Sequence, residues 1–191
     1  WMVPWQKMIP EEALPKPEQK FQFLKSALQI FEAAGYLPVG MDHFAKPQDE
    51  LIVALKERTL RRNFMGYTTQ KDAALISFGV SAISDLQVFY AQNFKKLSEY
   101  YRALDYDQWP LLRGLVLSQN DLLRRHVIME LLCNLELFIP ETEKKFNIRF
   151  FDYFKAELAM LEEMVSDGLV QINSEKIQGT RLGRLLSRNI C

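Results

Sequence analysis

The chain has 191 residues, of which 48% are hydrophobic, 12% aromatic and 25% charged, so it can bury one large core or two smaller ones. Its 24 lysines and arginines balance 24 aspartates and glutamates, and a neutral chain has no overall field that would attract nucleic acid or an anionic membrane. No apolar run approaches the roughly 20 residues of a membrane span. The sparse cysteines lead us to expect a reduced, cytoplasmic protein. Two cysteines, Cys133 and Cys191, are too few for a metal site.

The first elements indicate an alternation of helix and strand. Glu18 to Ala34 carries apolar residues at three-four-three spacing and stops before a glycine, which predicts an amphipathic helix. Tyr36 to Phe44 predicts a short strand that ends at Asp42 and His43. If that strand is parallel to its neighbours, the pair is a candidate general acid and base, since parallel strands present reactive residues at their C-terminal ends. The favoured alternative is a helix-capping Asp42 beside a hydrogen-bonded His43.

The central stretch runs from Asn63 to Asp85 and follows a short predicted helix at residues 49–58. It contains a polar turn and then an apolar run, Ala73 to Ile83, which we predict to be a buried strand. The small residues in this run, Gly79 among them, leave room for a ligand or for a second backbone. Tight packing against a neighbouring helix explains the same residues without a ligand.

The C-terminal half is predicted to be mostly helical. Its predicted helices cover residues 94–104, 118–135, 151–165 and 181–189. Ser118 with Asp121 three positions later indicates a capping box at the start of the second of these helices. Residues 169–178 predict a small hairpin. Helices followed by a two-stranded wing are typical of a winged-helix-like domain.

Five motifs occur in one order along the chain. They are GMDHFAKP (40–47), NFMGYTT (63–69), FGVSAIS (78–84), RRHVIMELLCNLEL (124–137) and GRLLSRNIC (183–191). Together they resemble the bacterial oxygen-independent coproporphyrinogen III oxidases, which are radical S-adenosylmethionine (SAM) enzymes of haem biosynthesis. The chain does not contain that family's cluster-binding C-x-x-x-C-x-x-C motif, and it begins with Trp1. We therefore expect it to be a piece of a longer protein.

The resemblance implies an α/β fold, in which residues 1–90 end an incomplete α/β barrel and residues 91–191 form a mostly helical, winged-helix-like domain. It implies that the whole protein uses a 4Fe–4S cluster and SAM to decarboxylate two propionates of coproporphyrinogen III oxidatively, giving protoporphyrinogen IX. The electron donor and acceptor are not identified by it. We expect this fragment alone to bind neither cofactor and to be inactive.

The resemblance also assigns site residues. Ile83 would pack against the adenosine part of SAM, with Gly79 giving room, and Phe64 and Met65 would lie near the reacting groups. The family often has glutamine at the position of Met65, and a thioether cannot donate the hydrogen bond that an amide donates.

A substrate with four carboxylates needs cations, and Arg181, Arg184 and Arg188 lie three and four positions apart in the predicted last helix. They could clamp propionates, or they form a solvated basic face near a helix end. A winged helix with such a face could also bind nucleic acid, but the stripe is short and the chain is neutral. A non-catalytic or haem-handling paralogue is the remaining alternative, kept open by Met65.

Overall fold

Helices alternate with small antiparallel sheets in the computed structural model, which describes residues 4–71 and 73–191. The helices are α1 (Pro17–Ala33), α2 (Glu50–Lys56), α3 (Leu97–Asp105), α4 (Gln119–Asn134), α5 (Ile139–Phe146), α6 (Phe150–Tyr153), α7 (Lys155–Met160), α8 (Glu162–Ser166) and α9 (Ser187–Ile190). The strands are β1 (Leu37–Val39), β2 (His43–Ala45), β3 (Arg61–Asn63), β4 (Gly66–Thr68), β5 (Ile83–Asp85), β6 (Phe89–Asn93), β7 (Leu111–Val116), β8 (Glu136–Phe138), β9 (Val170–Ile172) and β10 (Lys176–Gly179). Short 3₁₀ turns cover Pro4–Met8, Glu11–Ala13 and Gly183–Leu186.

The strands form four separate sheets. β1–β2 and β3–β4 are hairpins, and the two three-stranded sheets have the orders β5-β6-β7 and β8-β10-β9. Every strand pair in the described ranges is antiparallel. The single strand predicted for residues 36–44 is therefore wrong, because residues 40–42 turn the chain back between β1 and β2. Asp42 and His43 lie at this reversal and not at the end of a parallel strand.

The prediction of a buried strand over Ala73 to Ile83 is also wrong. Leu75 makes only an isolated bridge with Asp85, and β5 begins at Ile83. Positive φ angles at Gly79 (+103°) and Ser81 (+61°) are incompatible with an extended strand, so the chain loops here. Apolar composition did not distinguish a buried strand from a partly exposed loop.

Two of the predicted C-terminal helices are not continuous. The helix predicted over 151–165 is divided into α6, α7 and α8, and Phe150 and Phe154 are both buried in the core. The helix predicted over 181–189 is a 3₁₀ turn followed by the four-residue α9, because Gly183 packs against the Leu169 carbonyl where a Cβ would collide. The capping box of α4 is confirmed: Ser118 and Asp121 each accept a hydrogen bond from the other's backbone N–H.

Two apolar clusters hold the described elements together. The larger one gathers Leu137, Ile139, Phe150 and Val170 between α4, α5, α6 and the β8-β10-β9 sheet. The smaller one joins β1, β2 and α2 and also takes in Cys133 of α4. Helix α4 thus contributes to both clusters and connects the two halves of the chain. No helix in the described ranges is long and apolar enough to cross a membrane.

Candidate functional site

A cleft of about 410 Å³, here called the Phe64 cleft, lies between the β3–β4 turn and the β5-β6-β7 sheet. Its lining residues are Phe64, Ile83, Tyr90, Ala91, Gln92, Arg113, Gly114 and Leu115. Two residues that the sequence assigned to a common site, Phe64 and Ile83, therefore reach the same cavity. One comes from a hairpin turn and the other begins β5.

The orientation of Phe64 is fixed by an aromatic contact. Its ring meets the ring of Tyr90 edge-on, with centroids 5.5 Å apart and planes at 86°. Burial raises the pKa of the Tyr90 phenol, the neighbouring Arg125 opposes this shift and Asp85 adds to it. Because the ordinary pKa of a tyrosine is already about 10, the phenol is protonated at neutral pH. The Phe64 side chain is 54% exposed, so much of the ring is open to a ligand.

Arg113 supplies the positive charge of the Phe64 cleft. Its Nε donates a hydrogen bond to Gln92 Oε1 at 2.9 Å, which aligns the guanidinium along the sheet. No carboxylate in the described part of the chain forms an ion pair with it. Sequence reasoning missed Arg113 and Gln92. The available signal was one cation inside the apolar stretch LLRGLV, which forms the exposed strand β7.

The loop that precedes Ile83 is held from two sides. The Gly79 N–H donates to the hydroxyl of Tyr100 at 3.1 Å, and the Gly79 carbonyl accepts from Asn93 Nδ2 at 2.9 Å. Asn93 is only 6% exposed, so this amide is a buried support of the loop. A Cβ added to Gly79 would meet open space, although its φ of +103° is one that side chains rarely adopt.

Met65 and the three C-terminal arginines lie outside the Phe64 cleft. Met65 is 82% exposed at the β3–β4 turn. Arg181 donates to the Glu32 carboxylate at 2.6 Å, and Arg184 donates to the Gly40 carbonyl at 3.0 Å. Arg188 is exposed on α9. Because the helix predicted over 181–189 does not form, these arginines do not share one helical face.

Asp42 and His43 are hydrogen-bonded to each other, with 2.8 Å between Oδ1 and Nδ1. Both side chains are about half exposed, and the His43 ring also meets the ring of Tyr67 edge-on. The cap of α2 is Asp49, whose carboxylate accepts from the Leu51 N–H at 2.9 Å, so the prediction that Asp42 caps this helix is wrong.

Comparison with known proteins identifies the chain's relatives. Residues 117–186 match the family described as the HemN C-terminal domain. The oxygen-independent coproporphyrinogen III oxidases of Synechocystis and Escherichia coli K12 are 45% and 46% identical to it over 100% and 97% of this chain. This chain is similar in sequence to the C-terminal part of the oxygen-independent coproporphyrinogen III oxidases.

It corresponds to the C-terminal part of these oxidases and spans 42% and 41% of the length of the two relatives named above. A solved structure of the E. coli coproporphyrinogen III oxidase, described as a radical SAM enzyme, superimposes with a TM-score of 0.92 at 45% identity. That match covers 97% of this chain and 43% of the E. coli chain.

The described residues do not fit the iron–sulfur cluster of a radical SAM oxidase. They contain no group of three or more His, Cys, Asp or Glu side chains placed to hold a metal ion. Cys133 is buried in the smaller apolar cluster, where desolvation raises the pKa of its thiol to about 12. Desolvation also raises the pKa of the Cys191 thiol to about 11, although this residue is more exposed to solvent than Cys133. Since thiolates are the cluster ligands, these two residues are poor candidates.

Proposed function

We propose that this chain forms one wall of the active site of an oxygen-independent coproporphyrinogen III oxidase. In the whole protein the reaction is the oxidative decarboxylation of two propionates of coproporphyrinogen III to vinyl groups, giving protoporphyrinogen IX. The similarity of the chain to these oxidases supports the family's activity. The observation that supports the location is the single cleft lined by both Phe64 and Ile83.

The Phe64 cleft suits the adenosine part of SAM. Ile83, Ala91 and Leu115 offer apolar surface, and Tyr90 adds an aromatic ring, which together resemble the linings of nucleoside sites. SAM, when bound with its cluster, supplies the oxidising chemistry of the reaction. The contribution of this chain is to position the cofactor: Ile83 packs against the adenosine. Gly79 does not line the cleft, and its proposed role is to leave room in the loop that leads to Ile83.

We assign no step to a cluster on this chain, because the described residues offer no ligand set for one. In our proposal the cluster is held by another part of the whole protein, and the chain alone is inactive.

The substrate side of the cleft is proposed to be Phe64 and Arg113, with Met65 outside the cleft at the β3–β4 turn. The half-open Phe64 ring can pack against a pyrrole, and the Arg113 guanidinium can bind a propionate through two parallel hydrogen bonds. Met65 follows Phe64 in this turn, and its thioether can offer a bound substrate an apolar contact only. Arg188 remains a candidate for binding a second propionate. Arg181 and Arg184 are weaker candidates, because their guanidinium groups already donate hydrogen bonds to the Glu32 carboxylate and to the Gly40 carbonyl.

We infer that the C-terminal part is a winged-helix-like domain. It has the element order helix, strand, helices and two strands, and its sheet has the order β8-β10-β9. The boundary expected near residue 90 would fall inside β6 and divide the β5-β6-β7 sheet. We therefore place it after β7, which ends at Val116, with the preceding residues belonging to the barrel part of the whole protein.

The test is to prepare the whole protein that contains this chain, reconstitute its 4Fe–4S cluster without oxygen and supply SAM, a reductant and coproporphyrinogen III. We expect protoporphyrinogen IX to form, and we expect none from the isolated chain under the same conditions. A reconstituted whole protein that binds haem but converts no substrate would overturn the proposal in favour of a haem-handling relative. Turnover by the isolated chain would overturn the assignment of the cluster to another part.

A further inference from the structure

A second cleft, here called the Arg62–Lys145 cleft, lies where β3, residues 73–75, α4 and α5 meet. Its volume of about 540 Å³ is within the range of sites for small organic ligands. Apolar side chains from three of these elements form part of its lining: Leu75, Leu122, Met129 and Phe146. No role of this cleft follows from the proposed reaction, and the inference below does not rest on that reaction.

The polar lining of this cleft carries an excess of positive charge. Its cations are Arg61, Arg62, Arg125 and Lys145, and its carboxylates are Asp85 and Glu130. Asp85 is paired with Arg125 at 2.7 Å, and Glu130 with Arg61 at 3.2 Å. Four cations less two carboxylates leave a charge of plus two among the described lining residues. Both carboxylates are therefore already neutralised.

The two cations that remain, Arg62 and Lys145, form no ion pair with any carboxylate of the described residues. Lys145 Nζ lies 3.5 Å from His126 Nδ1, and burial lowers the pKa of His126 to about 4, so the imidazole is neutral at pH 7. The Arg62 guanidinium lies over the Tyr67 ring at 5.2 Å and contacts the Met41 sulfur at 3.7 Å. Neither contact balances a positive charge.

An adjoining cleft does not cancel this excess. It shares several lining residues with the Arg62–Lys145 cleft. It adds two cations, Arg58 and Lys71, and two carboxylates, Glu57 and Glu141, so its additional charges sum to zero. Among the described residues, the surplus charge is therefore located where the apolar lining is also found. Apolar surface beside unbalanced cations suits a ligand that has both an apolar body and a negative charge.

We propose that the Arg62–Lys145 cleft binds a small organic acid. Its apolar body packs on Leu122, Met129 and Phe146, and its carboxylate is neutralised by Arg62 and Lys145. The site joins elements from both halves of the chain, so a bound ligand also links β3 to α4 and α5.

Methionine methyl groups provide the measurement. The chain has seven methionines, of which Met129 lines the cleft and Met160, 77% exposed on α7, does not. With ¹³C-methyl methionine in the chain, 3-phenylpropionate is titrated and the methyl resonances are followed by NMR. We expect a saturable shift of the Met129 resonance and no shift of the Met160 resonance. Absence of a saturable Met129 shift would overturn the proposal.

Two matched probes separate charge from apolar contact. The amide 3-phenylpropionamide keeps the apolar body without the charge, and inorganic phosphate keeps a charge without the body. We expect each to bind at least about tenfold more weakly than the acid. The amide loses a charge-assisted contact, and phosphate loses the burial of an aromatic ring. An amide that binds as tightly as the acid, or phosphate that does so, would contradict the assigned ligand class.

Two lysines of α5 supply the matched variants. Lys145→Gln removes a lining charge, whereas Lys144→Gln removes the exposed neighbouring charge, which does not line the cleft. We expect the first to weaken binding of the acid about fivefold and the second to leave it unchanged. An unchanged resonance of Met164, which packs against the larger apolar cluster, confirms that each variant is folded. Equal loss in both variants would mean that only the general charge of the chain attracts the acid.

Discussion

Arg184 reaches across the chain to hydrogen-bond the Gly40 carbonyl at 3.0 Å, 144 positions away in sequence. Its guanidinium is half-buried, and desolvation lowers its pKa from the ordinary arginine value while Tyr67 opposes that shift. Gly40 turns the β1–β2 hairpin and packs so closely against Tyr67 that a side chain there would collide. The last segment of the chain therefore secures the first hairpin.

Replacing Arg184 by alanine is expected to reduce the free energy of unfolding by about 1–3 kcal/mol, because the Gly40 carbonyl loses its charged donor in a partly buried place. Urea unfolding of the isolated chain measures this change. Arg181→Ala is the matched control, since its pair with Glu32 is exposed and should be worth under about 1 kcal/mol. Equal losses in both variants would show that Arg184 does not act through the contact with Gly40.

Asn93→Ala is expected to loosen the loop before Ile83. The variant leaves the Gly79 carbonyl without the buried Asn93 amide, at a cost of about 1–3 kcal/mol. Hydrogen–deuterium exchange of residues 76–83 should accelerate, while exchange in α4 stays as in the parent chain. Gln92→Ala removes an exposed donor to the Ser81 carbonyl and serves as the control, with a smaller effect on the same peptides. Unchanged exchange in the loop of the Asn93 variant would contradict this role.

His126 is expected to make stability depend on pH. Its folded pKa of about 4 lies below the ordinary value of 6.5, mainly through burial and then through Lys145. Between these values the unfolded chain binds a proton that the folded chain does not, so stability is full above about pH 6.5 and falls as the pH decreases toward 4. Allowing for solvent screening, the loss is about 1–2 kcal/mol.

The measurement is urea unfolding at pH 7, 6 and 5. As the pH falls from 7 to 5, the free energy of unfolding of His126→Gln should decrease less than that of the parent chain. The difference in unfolding free energy between the two should therefore become smaller. Parallel pH profiles for the parent and the His126 variant would show that burial does not depress this pKa.

Local signals in the sequence predicted much of the fold. The capping box of Ser118 and Asp121 and the apolar spacing of α1 depend on neighbours within one or two helical turns, and both were confirmed. The hairpin of β9 and β10 was confirmed as well, although its pairing with β8 was not predicted, since that contact joins residues far apart in sequence.

The errors arose where distant contacts decide the structure. The apolar run before Ile83 forms a loop because Asn93 and Tyr100 hold Gly79 from other elements. The last arginines were placed on one helix by their spacing, but contacts with Glu32 and Gly40 determine where two of them point. Phe64 and Ile83 were assigned to the site from sequence motifs. Arg113 lies in no such motif and is identified only by the cavity that it lines.

Arg113 gives the most direct prediction about the proposed reaction. In the whole, reconstituted protein, Arg113→Gln is expected to raise the KM for coproporphyrinogen III by about tenfold or more, because a charge-assisted pair with a propionate is worth about 1.5–3 kcal/mol. The binding of SAM should change little, since Ile83 and Tyr90 remain. Arg113→Lys keeps the charge without the two-pronged geometry and should recover part of the affinity. Arg102→Gln changes an exposed arginine of α3 that does not line the cleft and is the control for altered net charge. A KM for Arg113→Gln equal to that of the parent enzyme, with normal thermal unfolding, would move the propionate contacts away from this cleft and toward residues such as Arg188.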